Sequence, residues 1–224
     1  MATSLSVMVP MTHPNGQCVM MEERCNQVVN CRDQSDENNC QLLDLKKSYN
    51  KKVAPITATR ANNFTVVPAA VNVSIILMKI VSMEEVQHSI SFQFEIILEW
   101  MENRAIYNNL KVDTFLNLLS EDEINSLWIP YVIYDNTDMK EAVQLEYGLK
   151  TTMVVSRQGG FYRSGVDEAD EVERFDGSDN MLTLRQTYTK TFQCEYFLQY
   201  YPFDKQVRHE TLYLRPFCRF APST

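Results

Sequence analysis

From Ser89 to Trp100 the chain alternates apolar and polar positions, with Ile90, Phe92, Phe94, Ile96, Leu98 and Trp100 on every second residue. A period of two marks a strand with one face in a core and the other toward solvent. Thr65 to Val81 is rich in β-branched residues, and Val71 to Val81 within it reads as a strand. Asn72, Ser74 and Lys79 interrupt its apolar run, and a membrane span needs about 20 apolar residues in a row. Leu42, Leu45 and Tyr49 fall on one helical face closed by Pro55, which predicts a leading helix. Ser120-Glu-Asp-Glu123 has the form of a capping box and predicts a short helical turn before Trp128. Thr151 to Val155, the Gln158-Gly159-Gly160 turn and Phe161-Tyr162 read as a hairpin. Leu182 to Phe203 reads as a further strand pair. Strands with short connections predict a mainly β fold: an antiparallel, immunoglobulin-like β-sandwich with one N-terminal helix. Unpaired edge strands, and association through them, are expected.

Composition narrows the function classes. The chain has 224 residues, 22% charged and 45% hydrophobic, which suits one or two folded domains. A net charge of −8 without a Lys/Arg cluster excludes a nucleic-acid partner. The run Asp167 to Glu173 reads as a solvated acidic loop. His13, His88 and His209 have no recognisable nucleophile motif near them, so no catalysis is assigned and no enzyme is expected. The N-terminus lacks a basic start and an apolar core, so neither a signal peptide nor a membrane anchor is expected in this chain. The cysteines point to an oxidising compartment all the same, because Cys18, Cys25, Cys31 and Cys40 crowd into a small, apolar-poor segment. Asn63-Phe-Thr and Asn72-Val-Ser are glycosylation sequons. Together these features predict an extracellular chain.

The run Cys31-Arg-Asp-Gln-Ser-Asp-Glu-Asn-Asn-Cys40, with Cys25 and Cys18 before it, resembles the C-terminal part of an LDL-receptor class A module. The resemblance implies a calcium ion held by the side chains of Asn26, Asn30, Asp36 and Glu37 and by the backbone carbonyls of Glu23 and Val28. Calcium favours carboxylate oxygens, so the two amides lower the expected affinity. The family carries six cysteines and this chain lacks the first two. The resemblance therefore implies a Cys25–Cys40 disulfide. Cys18 and Cys31 are left as orphans, or as partners of each other. Half a module, short of its disulfides, weighs against a working calcium site.

Four further motifs stand in order: Leu42-Leu43-Asp44-Leu45 with Tyr49-Asn50 and Pro55; Trp100-x3-Arg104; Trp128-Ile-Pro130; and Cys194 followed by Tyr201-Pro202-Phe203-Asp204-Lys205-Gln206. Together they resemble the extracellular ligand-binding domain of the pentameric ligand-gated ion channels, the Cys-loop receptors. The last motif is similar to the signature loop, in which thirteen residues separate two cysteines. The second cysteine would fall at 208, which is Arg208. Tyr131 also stands where the family usually has Asp. The resemblance divides the chain into a disordered start (1–17), the partial class A module (18–40), an incomplete ligand-binding domain (41–207) and an unrelated tail (208–224).

What the resemblance implies about residues is specific. Trp100, Trp128 and Pro130 are core and turn residues, and Arg104 pairs with a buried carboxylate. Phe203 and Asp204 lie at the base of the domain, where binding is passed on as motion to the membrane part. The ligand site forms between sibling subunits of a pentamer. One subunit would give loop A (Tyr134, Asp135, Asn136), and its neighbour the strand labelled D (Phe92, Phe94, Glu95) and a strand labelled E near 153–161. Aromatic boxes hold ammonium groups through cation–π attraction, yet Glu95 stands where acetylcholine-type receptors carry an aromatic. Loops B, C and F would follow residue 207, so no complete agonist site is expected from this chain alone. The expected function is part of the extracellular domain of a neurotransmitter-gated channel subunit. Such a subunit binds a small-molecule agonist on the outer side of the plasma membrane and is anchored by segments this chain lacks. The alternatives are a secreted soluble binding protein of the same fold, or a truncated decoy subunit.

Overall fold

A computed structural model describes residues 11–12, 18–20, 23–38, 40–58, 66–84, 86–134, 150–162, 172–193 and 212–215. In chain order the elements are β1 (Met11–Thr12), β2 (Cys18–Val19), β3 (Leu43–Leu45), β4 (Ile56–Ala58), β5 (Val66–Pro68), β6 (Val71–Glu84), β7 (Ser89–Trp100) and β8 (Ala105–Asn108). Helix α1 (Glu121–Ser126) follows, then β9 (Tyr131–Tyr134), β10 (Lys150–Ser156), β11 (Phe161–Tyr162), β12 (Arg174–Asp176), β13 (Met181–Gln193) and β14 (Leu212–Arg215). One four-stranded sheet has the order β10-β13-β7-β6 and another the order β11-β12-β8-β3. The pairs β1–β2, β4–β5 and β9–β14 stand beside them. Every pairing is antiparallel.

The alternation in β7 becomes the core. Ile90, Phe94, Ile96, Leu98 and Trp100 share one face and meet Leu182, Leu184, Tyr188 and Phe192 of β13 and Met153 and Val155 of β10. Leu42, Ala105, Tyr107 and Phe175 come in from the second sheet. Two sheets each bury one face against the other, which is the sandwich solution for a chain with this period. The long pairing of β7 with β13 runs from Leu182↔Trp100 to Gln193↔Ser89 without a slip. Asn117 is fully buried, yet both its amide protons and its oxygen are hydrogen-bonded. Its Nδ2 donates to the carbonyls of Lys111 and Val155, both at 2.9 Å, and its Oδ1 accepts from the Lys111 N–H at 2.7 Å.

The leading helix expected over Leu42 to Tyr49 is not there. Leu43 and Leu45 are half-buried with Asp44 exposed between them, and the segment pairs as β3 with Ala105–Tyr107. The pairing with β8 decides this: the Leu42 carbonyl, which a helix would offer to Lys46, accepts the Asn108 N–H at 2.7 Å. Glu123 anchors the segment to α1. Its Oε1 accepts the backbone N–H groups of both Leu42 and Leu43 at 2.9 Å. Its Oε2 closes the capping box of α1 on Ser120.

The hairpin expected around Gly159-Gly160 is also replaced. β10 joins the first sheet and β11 the second, so residues 157–160 form a corner between sheets. Asn180 Oδ1 holds that corner by accepting the N–H groups of Gln158 at 3.0 Å and Gly159 at 3.2 Å. The strand pair expected over Leu182 to Phe203 is one strand as far as Gln193, and residues 194–203 lie outside the described ones.

The chain also crosses between sheets from β7 to β8, and Gly177 packs against that corner. A Cβ on Gly177 would lie 2.1 Å from the Glu102 carbonyl oxygen and 2.8 Å from that of Ala105. Both obstacles are backbone. Gly177→Ala is expected to destabilise by about 2–3 kcal/mol, the upper end for overpacking, as read by chemical denaturation. A loss under about 0.5 kcal/mol, the scale of an ordinary surface substitution, would show that the corner yields freely.

Candidate functional site

The corner is built around a buried acid. Glu102 is completely buried, and Arg104 meets both of its oxygens, Nε to Oε1 at 2.7 Å and Nη2 to Oε2 at 2.8 Å. The Tyr49 hydroxyl donates to Oε2 at 3.2 Å and accepts the Trp128 N–H at 2.8 Å. The Arg104 guanidinium lies 4.6 Å from the centre of the Tyr49 ring, and its Nη1 donates to the Val53 carbonyl at 2.8 Å. Burial alone would lower the Arg104 pKa, but the hydrogen bonds and charge of Glu102 outweigh it and raise the value. Burial, followed by the Glu102 charge, pushes the Tyr49 phenol well above its ordinary range. Trp100 and Trp128 are buried edge to face, 5.9 Å between ring centres, and Pro130 is buried beside them. These residues form the frame of the domain.

The aromatic ligand candidates lie on the core face of β7. Phe94 is 5% exposed, and its ring centre is 5.9 Å from Tyr134, 6.1 Å from Tyr188 and 6.3 Å from Phe192. Tyr134 is 5.8 Å from Tyr188, and the half-buried Phe92 is 5.9 Å from Phe192. The Lys190 ammonium of the same chain lies 5.5 Å from the Tyr134 ring centre. Burial lowers the Lys190 pKa, raises Tyr188 to about 12 and drives Tyr134 higher still. Tyr188, Lys190 and Phe192 belong to none of the sequence motifs.

 Their signal was the spacing of two between Tyr188, Lys190 and Phe192, which the β13 register sets against Phe94, Phe92 and Ile90.

Glu95 points the other way. It lies on the opposite face of β7 from Phe94, and Arg185 Nη1 reaches its Oε2 at 3.5 Å. The candidates therefore form two separate groups, an aromatic cluster facing the core and a paired carboxylate on the outer face. Asp135, Asn136, Cys194, Tyr201, Pro202, Phe203, Asp204, Gln206 and Asn63 lie outside the described residues. Asn72 is exposed on β6.

In the N-terminal segment Cys25 and Cys40 form a disulfide, with their Cα atoms 5.6 Å apart. Cys31 is a buried free thiol, which removes the Cys18–Cys31 pairing as an alternative. Glu37 accepts the N–H groups of Asn26 at 2.7 Å and Gln27 at 3.1 Å, and Asp36 Oδ2 accepts that of Asn30 at 2.6 Å. Asn26 Oδ1 accepts the Val28 N–H at 2.8 Å, and Glu23 Oε2 that of Met20 at 3.0 Å. Burial would raise the Asp36 pKa, but the backbone N–H groups around it hold it below its ordinary value. Its Oδ1 is buried without a hydrogen-bond partner. That one orphaned, charged oxygen suits a hard cation. The Glu37 carboxylate and the Asn26 amide oxygen already accept backbone N–H groups, and no group of three or more His, Cys, Asp or Glu among the described residues could hold a metal.

Two outcomes are expected. Arg104→Ala leaves the Glu102 charge buried without its partner and should cost about 3 kcal/mol, the lower end for a broken buried pair because Arg104 reaches solvent; urea denaturation measures it, with Arg104→Lys losing less. Tyr49, Tyr107, Tyr134 and Tyr188 all have raised folded pKa values, so their contribution is intact below the unfolded value of 10.0 and is lost as pH rises through about 12 for Tyr188. In a spectrophotometric titration these phenols should ionise only as the fold opens in alkali, and free titration of every tyrosine near pH 10 would contradict the packing.

Residues 39–209 match the neurotransmitter-gated ion-channel ligand binding domain. Residues 14–40 match the low-density lipoprotein receptor domain class A. No curated protein matches the chain. Among the described residues no helix is long and apolar enough to cross a membrane. The first match covers most of the chain, so the protein belongs to the family of neurotransmitter-gated ion-channel ligand-binding domains, with a class A module ahead of that domain.

Proposed function

We propose that this chain is part of the extracellular domain of a pentameric channel subunit, and that it contributes to small-molecule sites at the boundaries between subunits. The observation that supports this reading is the separation of the candidates. Glu95 and Tyr134 are served by opposite faces of one sheet, so a single chain does not bring them to one ligand, whereas two neighbours in a ring can. Glu95 would then face the ligand from one subunit and attract an amine, exchanging its contact with Arg185 for the ligand cation. Tyr134, Asp135 and Asn136 would approach from the other subunit at the end of β9. Phe92 and Phe94 would shape that wall from behind.

The run from Cys194 through Tyr201, Pro202, Phe203, Asp204 and Gln206 would pass binding to the membrane part. Asn63 and Asn72 would carry glycans on the outer surface. The class A segment would hold calcium weakly through Asp36, Glu37, Asn26, Asn30 and the carbonyls of Glu23 and Val28, with Asp36 Oδ1 as its open carboxylate oxygen. The ion would supply only a positive charge that binds these loops together.

Long-read sequencing of the transcript across the codons for Val207 and Arg208 is the first test. The expected message continues into four apolar spans, and cells expressing it carry agonist-gated current. In that protein Glu95→Gln should raise the half-maximal agonist concentration about tenfold, equal to about 1.4 kcal/mol, with surface expression unchanged. A message that completes the domain and then stops would make the protein a soluble binder instead.

A further inference from the structure

Two hydroxyls at one end of the core are cut off from solvent and have no hydrogen-bond partner: that of Tyr134, the last residue of β9, and Oγ1 of Thr151 on β10. Each residue as a whole is half-buried, so the part that meets solvent is not the polar end. A buried donor left without a partner forfeits the bond it made to water, and native folds seldom leave one so.

The strand register brings both hydroxyls to one polar group. Thr151 stands directly opposite Gln186 on β13, and side chains so placed share a face with Cβ atoms about 4.5–5.5 Å apart. That face is the core face, because Thr151 precedes the buried Met153 by two residues. Gln186 is buried, and its Oε1 accepts the Tyr188 hydroxyl at 2.8 Å. The Tyr188 ring meets that of Tyr134 edge to face, 5.8 Å between centres. Burial first, and then the neighbouring Tyr188 hydroxyl, raises the Tyr134 pKa. The two hydroxyls are therefore close, yet that of Tyr134 is not aligned to bond. Apolar side chains bound the group: Ile96 and Phe94 lie opposite Gln186 and Tyr188 on β7, and the Phe192 ring centre is 6.4 Å from that of Tyr134.

We propose that Tyr134, Thr151, Gln186 and Tyr188 form a binding site for a buried water molecule that joins β9 to β10 and β13. Water has two donors and two acceptors, and a buried one typically makes two to four hydrogen bonds to groups that are otherwise unsatisfied. It can accept the Tyr134 O–H and donate to Thr151 Oγ1. The Tyr188 oxygen, which donates its own proton to Gln186, keeps acceptor capacity, and the Gln186 amide adds donors. A metal cation suits the group poorly, because it holds no carboxylate and the Lys190 ammonium lies 5.5 Å from the Tyr134 ring centre. Among the described residues β9 pairs through its backbone only with β14, so the water supplies a polar link from Tyr134 to the first sheet. The inference rests on these four side chains and not on the function proposed above.

The test joins a high-resolution crystal structure of the purified chain to a double-mutant cycle. The structure should show one ordered water about 2.7–3.2 Å from both the Tyr134 and the Thr151 hydroxyl. Tyr134→Phe and Thr151→Val each keep the side-chain shape and remove one hydroxyl. Each should lower the folding equilibrium constant about fivefold in urea denaturation. The double variant should lose less than the product of the two, because both hydroxyls act through one water. Orphaned hydroxyls predict the opposite, since removing an unsatisfied group leaves stability unchanged or raises it. A dry site, single variants that lose nothing, or losses that simply multiply in the double variant would each overturn the proposal. If a variant does not fold, the crystal structure of the unaltered chain decides alone.

Discussion

Glu102 carries a charge into a site with no exposure, and the rest of the domain is arranged so that this charge is met. Arg104 takes both oxygens, Tyr49 adds a hydroxyl, and Tyr49 in turn accepts the Trp128 N–H. Through these bonds one carboxylate joins the end of β7, the turn after β3 and the segment after α1. Gly177 closes on the same corner because only a residue without a Cβ can approach the Glu102 carbonyl so closely. A buried pair of this kind is a weak source of net stability. Its value here is positional, because it fixes where one sheet hands the chain to the other and so where both faces of β7 point.

Those two faces determine what the domain offers a ligand. The core face carries the Phe94, Tyr134, Tyr188 and Phe192 cluster, which already has Lys190 of its own chain over one ring. The outer face carries Glu95 beside Arg185. Most of the area of these aromatic side chains is spent on packing. The polar chemistry lies on the other side of the sheet. The proposed intersubunit site uses both by drawing on two chains.

The same sheet shapes β6. It is built like a core strand, with bulges that hold its apolar residues in phase with β7, and among the described residues only β7 pairs with it. Its apolar row is partly exposed there, and a strand of this kind is suited to take a further strand.

Much of this was legible in the sequence. The alternation in β7, the capping box of α1 and the strand character of Val71 to Val81 rest on local periodicity and local hydrogen bonding, and the structure keeps all three. The Cys25–Cys40 bond followed from the class A resemblance. The leading helix did not survive, because Leu42, Leu45 and Tyr49 fit a helical spacing as well as the strand-and-turn they adopt, and the choice fell to the pairing with β8. Gly159-Gly160 likewise marked a turn but not which sheet each arm would join, a matter settled by Asn180. Tyr188, Lys190 and Phe192 gained meaning only when the β13 register laid them against β7. The sequence by itself thus determined which segments are extended and which face of each is apolar, since both are set by neighbours along the chain. Tertiary structure alone decided the partners of those faces, because the backbone groups that pair with a segment lie far along the chain, as Asn108 does from Leu42, and no local pattern records that pairing.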